Sequence, residues 1–179
     1  MLKGKVREFG PWLLYTVLTM GIYYIWWTFA VLREIETSFK IEHDHYIKSA
    51  RSMLILRLVI LLVSTYFIVA SPALGIETTE AQNYDRFFWL NLLNVVVAGI
   101  FYYRFTLAIA FGQFKAGLEP FRIFDIFGFM LASLIMGFFT SFLTVFFYAS
   151  IIFSLIFHFK LLKEINRIWL SDQETTFFE

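Results

Sequence analysis

The chain has 179 residues, of which 59% are hydrophobic and 16% are charged, with a mean hydropathy of +0.69 and a formal net charge of +1. Soluble domains are about half apolar and about a quarter charged, so this chain has too few charges to cover a water-facing surface. The small net charge provides no basic field for nucleic acid, and the lack of cysteine excludes disulfides, thiolate metal sites and cysteine nucleophiles.

Five apolar stretches follow one another along the chain, each near the roughly 20 residues that a membrane-crossing helix needs. They cover residues 11–32, 52–74, 87–111, 121–138 and 141–161. The last two belong to one apolar tract, 123–160, which as a single helix would be about 57 Å long, nearly twice a hydrocarbon core. A break is therefore expected within residues 137–141. The sequence predicts an all-α fold: a polytopic membrane helix bundle of about five transmembrane helices, forming one integral membrane domain over 1–179.

Lysine and arginine predict the orientation of these spans, because they concentrate in inner loops. With the N-terminus outside, the inner segments 33–51, 115–122 and 160–167 hold four, two and three bases, and the outer loop holds only Arg86. Lys3, Lys5 and Arg7 then fall on the outer side, against the rule. A first segment that enters the membrane and returns would remove this conflict.

A boundary sequence near the start of the chain is echoed near its end. FAVLREIETSF at 29–39 aligns with FKLLKEINRIW at 159–169, with identical residues at the positions of Phe29, Leu32, Glu34 and Ile35. If both copies leave the membrane on the same side, an even number of spans separates them. The expected membrane-interface motif comprises Tyr23, Tyr24, Trp26, Trp27, Arg33, Glu34, Lys163 and Glu164, because amphipathic rings and snorkelling bases favour the headgroup layer.

The segment after the first span is expected to be an amphipathic helix lying along the inner membrane face. Its apolar residues recur at near-helical spacing, at Ile35, Phe39, Tyr46, Ala50 and Met53. The simplest interpretation of the whole motif is a membrane anchor.

The opening motif resembles a family of small uncharacterised bacterial inner-membrane proteins, grouped as a domain of unknown function. Members carry GIYxxW followed by a basic residue and EI. Here Gly21, Ile22, Tyr23, Trp26 or Trp27, Arg33, Glu34 and Ile35 fill that pattern, and KEIN at 163–166 is similar to its other common ending. The resemblance covers about a quarter of the chain. It implies a bacterial inner-membrane protein and brings no activity with it.

Three ionisable residues fall inside the predicted spans, where charge is costly and often functional. Arg57, Arg104 and Asp125 all fall in the inner third of the bilayer, so a shared charge cluster is possible. Such a cluster could clamp helices, bind a lipid phosphate or select ions. Alternatively, each arginine snorkels separately to nearby headgroups.

Small and amide side chains are candidates for helix packing rather than for catalysis. This set comprises Asn91, Asn94, Gly128, Ala132, Ser133 and Gly137. Ser154 and His158, four residues apart, resemble a nucleophile–base pair only weakly, because such helical neighbours usually bond backbone carbonyls. EHDH at 42–45 offers metal-ligand chemistry, but its side chains fan around a helix, so no metal site and no cofactor are predicted.

Three functions from different classes are compatible with the sequence. The favoured one is a non-catalytic membrane subunit or scaffold, with partners in the lipid bilayer, in other membrane subunits or in copies of itself, and none in nucleic acid. The alternative is a small ion channel or transporter using Arg57, Arg104 and Asp125. An enzyme that uses Ser154 and His158, or the EHDH segment, has the least support. The expected location is the bacterial inner membrane.

Overall fold

The computed structural model describes residues 5–19, 21–40, 45–73, 80–139 and 144–175. Within these ranges the chain forms six helices and no strand. They are α1 (Phe9–Leu18), α2 (Ile22–Ser38), α3 (His45–Ala73), α4 (Glu80–Lys115), α5 (Ile123–Phe138) and α6 (Thr144–Thr175). The all-α prediction is confirmed.

The predicted first span, 11–32, is wrong as a single helix. α1 has 10 residues, or about 15 Å, half the thickness of a hydrocarbon core. It ends before Gly21, whose φ of 90° is a left-handed conformation that glycine adopts without steric cost. Residues 9–38 therefore form a helical hairpin.

Hydrogen bonds within the chain satisfy the backbone at the tip of this hairpin. The Gly21 N–H donates to the Thr16 carbonyl at 2.8 Å, and the Thr19 hydroxyl accepts from the Tyr23 N–H at 2.9 Å. The Ile22 N–H donates to the Thr19 carbonyl at 3.1 Å. A turn with its amide groups paired internally can lie in a low-dielectric environment without a large desolvation cost.

Both ends of the α1–α2 hairpin lie on the same side of the bundle. Arg7, just before α1, forms an ion pair with Glu34 near the end of α2. The Arg7 N–H also donates to Asn166 Oδ1 at 2.9 Å, and the Asn166 amide donates to the Arg7 carbonyl at 2.6 Å. The start of α1 and the end of α2 are therefore neighbours, as a first segment that turns back on itself requires.

α3 and α4 form a second antiparallel hairpin, and α5 and α6 a third. Tyr46 contacts Phe111 while Arg57 contacts Tyr102, so α3 and α4 run in opposite directions. Within the 123–160 tract, α5 ends at Phe138 and α6 begins at Thr144, so the tract folds back on itself as predicted.

The expected amphipathic surface helix after the first span is absent from the described residues. Instead, α2 continues to Ser38 and α3 begins at His45. Ile35 and Ala50, expected to face the membrane, are fully buried in the core. The near-helical spacing of these apolar residues arises because the end of α2 and the start of α3 each turn one face toward the core.

Among the described residues, two helices are long and apolar enough to cross a membrane. They are Phe88–Lys115 within α4 and Val145–Ser171 within α6. α1 and α5 are shorter apolar helices. Five transmembrane helices are therefore not supported, because only these two described helices meet the length and hydropathy that a span needs and the stretch 11–32 is broken.

Candidate functional site

The two echoed boundary sequences pack against the same part of α4. A Cβ built on Gly112 would lie 3.3 Å from Ile35 Cγ2 of α2 and 3.2 Å from Ile168 Cδ1 of α6. Ile35 and Ile165, the matched isoleucines of the two copies, are both fully buried. Both copies therefore pack near Gly112, the first through Ile35 and the second through Ile168, and both lie at the same end of the bundle.

The matched glutamates each bind a polar partner that sequence reasoning missed. Glu34 pairs with Arg7, as described above, and the completely buried Gln113 donates to Glu164 Oε2 at 2.8 Å and to the Glu164 carbonyl at 3.1 Å. Gln113 Oε1 accepts from the Phe121 N–H at 3.0 Å, and Arg167 donates to Glu164 at 2.9 Å. The motif thus ties α4, α6 and the α4–α5 loop together.

Most bases of the chain lie at this same end, which we call the base-rich end. Arg51 at the start of α3 pairs with Glu36 at the end of α2 at 2.7 Å, and Gln113 joins the end of α4 to α6. The base-rich end includes Lys5, Arg7, Arg33, Lys40, Lys48, Arg51, Lys115, Arg122, Lys160, Lys163 and Arg167. Arg86 lies at the opposite end of α4.

The expected interface aromatics of α2 do not form a uniform belt. Trp27 is completely buried, and Trp26 is 60% exposed, so consecutive tryptophans point to opposite sides of the helix. Tyr23 contacts the rings of Tyr15 and Trp26, with centroids 5.4 and 5.6 Å away. Trp27 of the expected motif therefore lies in the core, whereas Arg33 and Lys163 are exposed.

An aromatic cluster from four helices surrounds His158 in the centre of the bundle. Trp12 stacks on His158 with centroids 5.1 Å apart, and Tyr24 and Tyr102 contact its ring at 5.2 and 6.1 Å. Trp27 packs edge-on against Trp12 at 5.5 Å. Because these rings come from α1, α2, α4 and α6, the cluster holds the α1–α2 hairpin against the longer helices.

Arg57 joins α3 to this aromatic cluster. Its Nη1 donates to the Tyr102 hydroxyl at 2.9 Å, and its guanidinium carbon lies 4.9 Å from the Tyr102 ring centroid and 5.8 Å from that of Phe101. Arginine stacks well on aromatic faces because its planar cation is weakly hydrated. Arg57 thus finds an uncharged partner inside the bundle.

The three predicted intramembrane charges are not brought together. No ion pair joins Arg57, Arg104 and Asp125, all of which are among the residues that the structure describes. Arg104 borders an apolar cavity of about 570 Å³ between α4 and α5, and Asp125 is exposed in the first turn of α5. Similar depth along a helix axis did not imply proximity, because these residues point in different directions around the bundle.

The small and amide residues expected at helix contacts have different surroundings. Ser133 donates to the Ser150 carbonyl and Ser150 donates to the Ser133 carbonyl, both at 2.9 Å, and a Cβ on Gly137 would lie 3.2 Å from Ser150 Oγ. These groups form the α5–α6 contact. Asn91 is exposed, and the buried Asn94 Oδ1 has no hydrogen-bond partner among the described residues.

Gly128 and Ala132 of α5 border an open groove beside α6. A Cβ built on Gly128 would meet nothing within 4 Å. The groove has a volume of about 340 Å³, and Phe129 and Phe153 form part of its walls. This face of α5 could accept another helix.

Of the two enzyme-type arrangements, the described residues include in full only that of Ser154 and His158. His158 Nδ1 lies 2.7 Å from the Ser154 carbonyl and 3.4 Å from the Ser154 hydroxyl, so the ring nitrogen nearer the serine donates to the backbone and cannot act as its base. Glu42, His43 and Asp44 of the EHDH segment lie outside the described residues, and His45 is exposed beside Tyr46. The described part of the chain contains no group of three metal-ligating side chains.

Comparison of the chain with protein-family models, with curated proteins and with solved structures gives no match. The family resemblance of the opening motif therefore stays a prediction.

Proposed function

We propose that the chain is a multi-pass integral membrane protein in which α3 to α6 cross the bilayer and the α1–α2 hairpin enters it and returns. Large apolar side chains on the outward faces of the long helices support this placement. Leu62 on α3 is 71% exposed, Phe124 on α5 is 77% exposed and Val145 on α6 is 67% exposed. Water disfavours extensive exposed apolar surface, whereas hydrocarbon accommodates it.

The base-rich end faces the cytoplasm of a bacterial inner membrane in this proposal, because inner loops carry the excess of Lys and Arg. A returning first hairpin places Lys5 and Arg7 on the same side as Lys115 and Lys163. This arrangement removes the conflict that a first membrane-crossing helix creates. Both ends of the described chain are then cytoplasmic.

The protein acts as a non-catalytic subunit or scaffold that packs against a transmembrane helix of a second copy or of another subunit. The open Gly128 face of α5 is the observation that carries this function. Small residues one turn apart, here Gly128 and Ala132, allow two membrane helices to approach closely. Within the described residues no side chain of the chain itself fills this face.

The surroundings of Arg57 favour a helix clamp over an ion path. The guanidinium donates to Tyr102 and lies over two rings, which fixes α3 against α4. The channel or transporter alternative relied on a cluster of Arg57, Arg104 and Asp125 that the structure does not assemble.

The test is the native mass of the protein purified in mild detergent, with its co-purifying subunits identified by mass spectrometry. We expect a complex larger than the monomer, and Gly128→Leu should shift it to the monomer because the added side chain fills the groove. Val59→Phe is the matched control, since it adds the same number of carbon atoms to an exposed residue of α3. A monomeric wild type without partners would refute the scaffold, as would a Gly128→Leu variant that still assembles.

A further inference from the structure

We propose that a basic cavity between α5 and α6, at the base-rich end, binds the phosphate group of an anionic phospholipid. The cavity has a volume of about 220 Å³ and is bordered by Arg122, Lys160 and Lys163. Pockets for drug-sized ligands are larger, from about 300 to 1,000 Å³, so this cavity suits a small charged group.

The three bases that border the cavity are not neutralised by the chain. None of Arg122, Lys160 and Lys163 forms an ion pair with a described carboxylate. Lys160 is held in place because its Nζ lies 4.3 Å from the Phe129 ring centroid. Lysine and arginine bind phosphate oxygens through charge-assisted hydrogen bonds, so their convergence creates an anion site.

Two carboxylates also border the cavity, and only one of them has its negative charge compensated by neighbouring side chains. Glu164 accepts from Gln113 and Arg167, so its charge is already compensated. Asp125 has no ion-pair partner among the described residues and remains exposed. Three bases against one uncompensated acid leave a positive field at the cavity, and Asp125 weakens it.

The neighbouring loop keeps the cavity in shape. The completely buried Gln113 accepts from the Phe121 N–H, which fixes the chain immediately before Arg122, and it donates to Glu164 on α6. One side chain thus connects the two walls that carry the bases. A preorganised site of this kind binds its ligand with less loss of conformational entropy than a set of independent surface side chains.

The phosphate comes from a lipid headgroup because the base-rich end lies at the inner headgroup layer in the proposed membrane placement, on which this assignment rests. Anionic lipids of the cytoplasmic leaflet attract nearby bases by about 1 kcal/mol for each Lys or Arg. The bulk bilayer then surrounds the acyl chains.

The experiment is native mass spectrometry of the detergent-purified protein with phosphatidylglycerol, phosphatidylcholine or inorganic phosphate added. We expect preferential retention of phosphatidylglycerol, and at least about tenfold weaker retention in the triple variant Arg122→Gln, Lys160→Gln, Lys163→Gln. Asp125→Asn should strengthen retention by roughly fivefold, because it removes a repelling charge.

The matched control triple variant is Arg33→Gln, Lys48→Gln, Lys115→Gln, which removes the same charge from the same end outside the cavity. This control should weaken the retention of phosphatidylglycerol much less than the cavity triple variant does, because its bases do not border the cavity. Equal losses in both triple variants would overturn the proposal in favour of general charge attraction, and displacement of the lipid by inorganic phosphate would identify a soluble ligand.

Asp125→Asn keeps the proposal falsifiable if the cavity triple variant fails to fold, since unchanged or weaker retention in Asp125→Asn contradicts it. Failure of the lipid-site proposal is distinguishable from failure of the scaffold proposal. The lipid-site experiment measures bound lipid, whereas the scaffold experiment measures the mass of the assembled protein after Gly128→Leu.

Discussion

Removal of the Tyr102 hydroxyl tests whether Arg57 clamps α3 to α4. Tyr102→Phe deletes the acceptor of the 2.9 Å hydrogen bond from Arg57 Nη1 but keeps a ring beneath the guanidinium. The unpaired guanidinium group should cost roughly 1–3 kcal/mol of unfolding free energy, since the hydrogen bond of a charged group is lost in a mostly apolar environment. Tyr102→Leu also removes the cation–π contact, so it should cost about 0.5–2 kcal/mol more.

The decisive comparison is a double-mutant cycle with Arg57→Met. Arg57→Met removes the cation together with its need for a partner, and replacing a buried charge by an apolar side chain is often close to neutral. Tyr102→Phe combined with Arg57→Met should therefore be more stable than Tyr102→Phe alone. The assay is denaturant unfolding in mild detergent micelles, followed by far-UV circular dichroism and tryptophan fluorescence. Purely additive effects of the two substitutions would refute the clamp.

Two further substitution sets test the packing of the bundle. Gly112→Ala should be less stable than Gly99→Ala by about 1–2 kcal/mol in the same unfolding assay. A Cβ on Gly112 would meet Ile35 and Ile168 at 3.2–3.5 Å, whereas a Cβ on Gly99 would meet only Leu134 Cδ1 at 3.7 Å. Equal stabilities of the two variants would contradict the close approach of both echoed motifs to α4. Ser133→Ala and Ser150→Ala should show a coupling energy of roughly 0.5–2 kcal/mol, since each hydroxyl donates to the other residue's carbonyl. A coupling of zero would contradict the reciprocal pair.

The amino-acid sequence predicted the helical class and the fold-back of the 123–160 tract because both follow from length and hydropathy. A single helix over that tract would be longer than the hydrocarbon core is thick. In the structure, α5 ends at Phe138 and α6 begins at Thr144. The same counting failed for residues 11–32, whose composition fits a span. The break depends on the left-handed conformation of Gly21, which hydropathy does not register. Lys3, Lys5 and Arg7, which the expected topology puts on the outer side, were the signal in the sequence against a single first span.

The side-chain partners were harder to predict than the helices. Counting residues from a helix end gives the depth of Arg57, Arg104 and Asp125 but not the direction in which each points. The partner of Arg57 is Tyr102, an uncharged residue that no charge-pairing argument would select. The roles of Gln113 and Asn166 depend on contacts between residues more than 50 positions apart, which a single sequence does not reveal.

In the proposed membrane placement the first hairpin returns to the side from which it starts, so that Lys5 shares a membrane face with the ends of α4 and α6. The chain has no cysteine, so single-cysteine variants Lys5→Cys, Lys48→Cys, Lys115→Cys and Lys163→Cys can each be labelled in sealed membrane vesicles with a membrane-impermeant thiol reagent. We expect all four thiols to react from the same side. Reaction of the Lys5→Cys thiol from the side opposite to the other three would show that residues 11–32 cross the membrane, and would contradict the account.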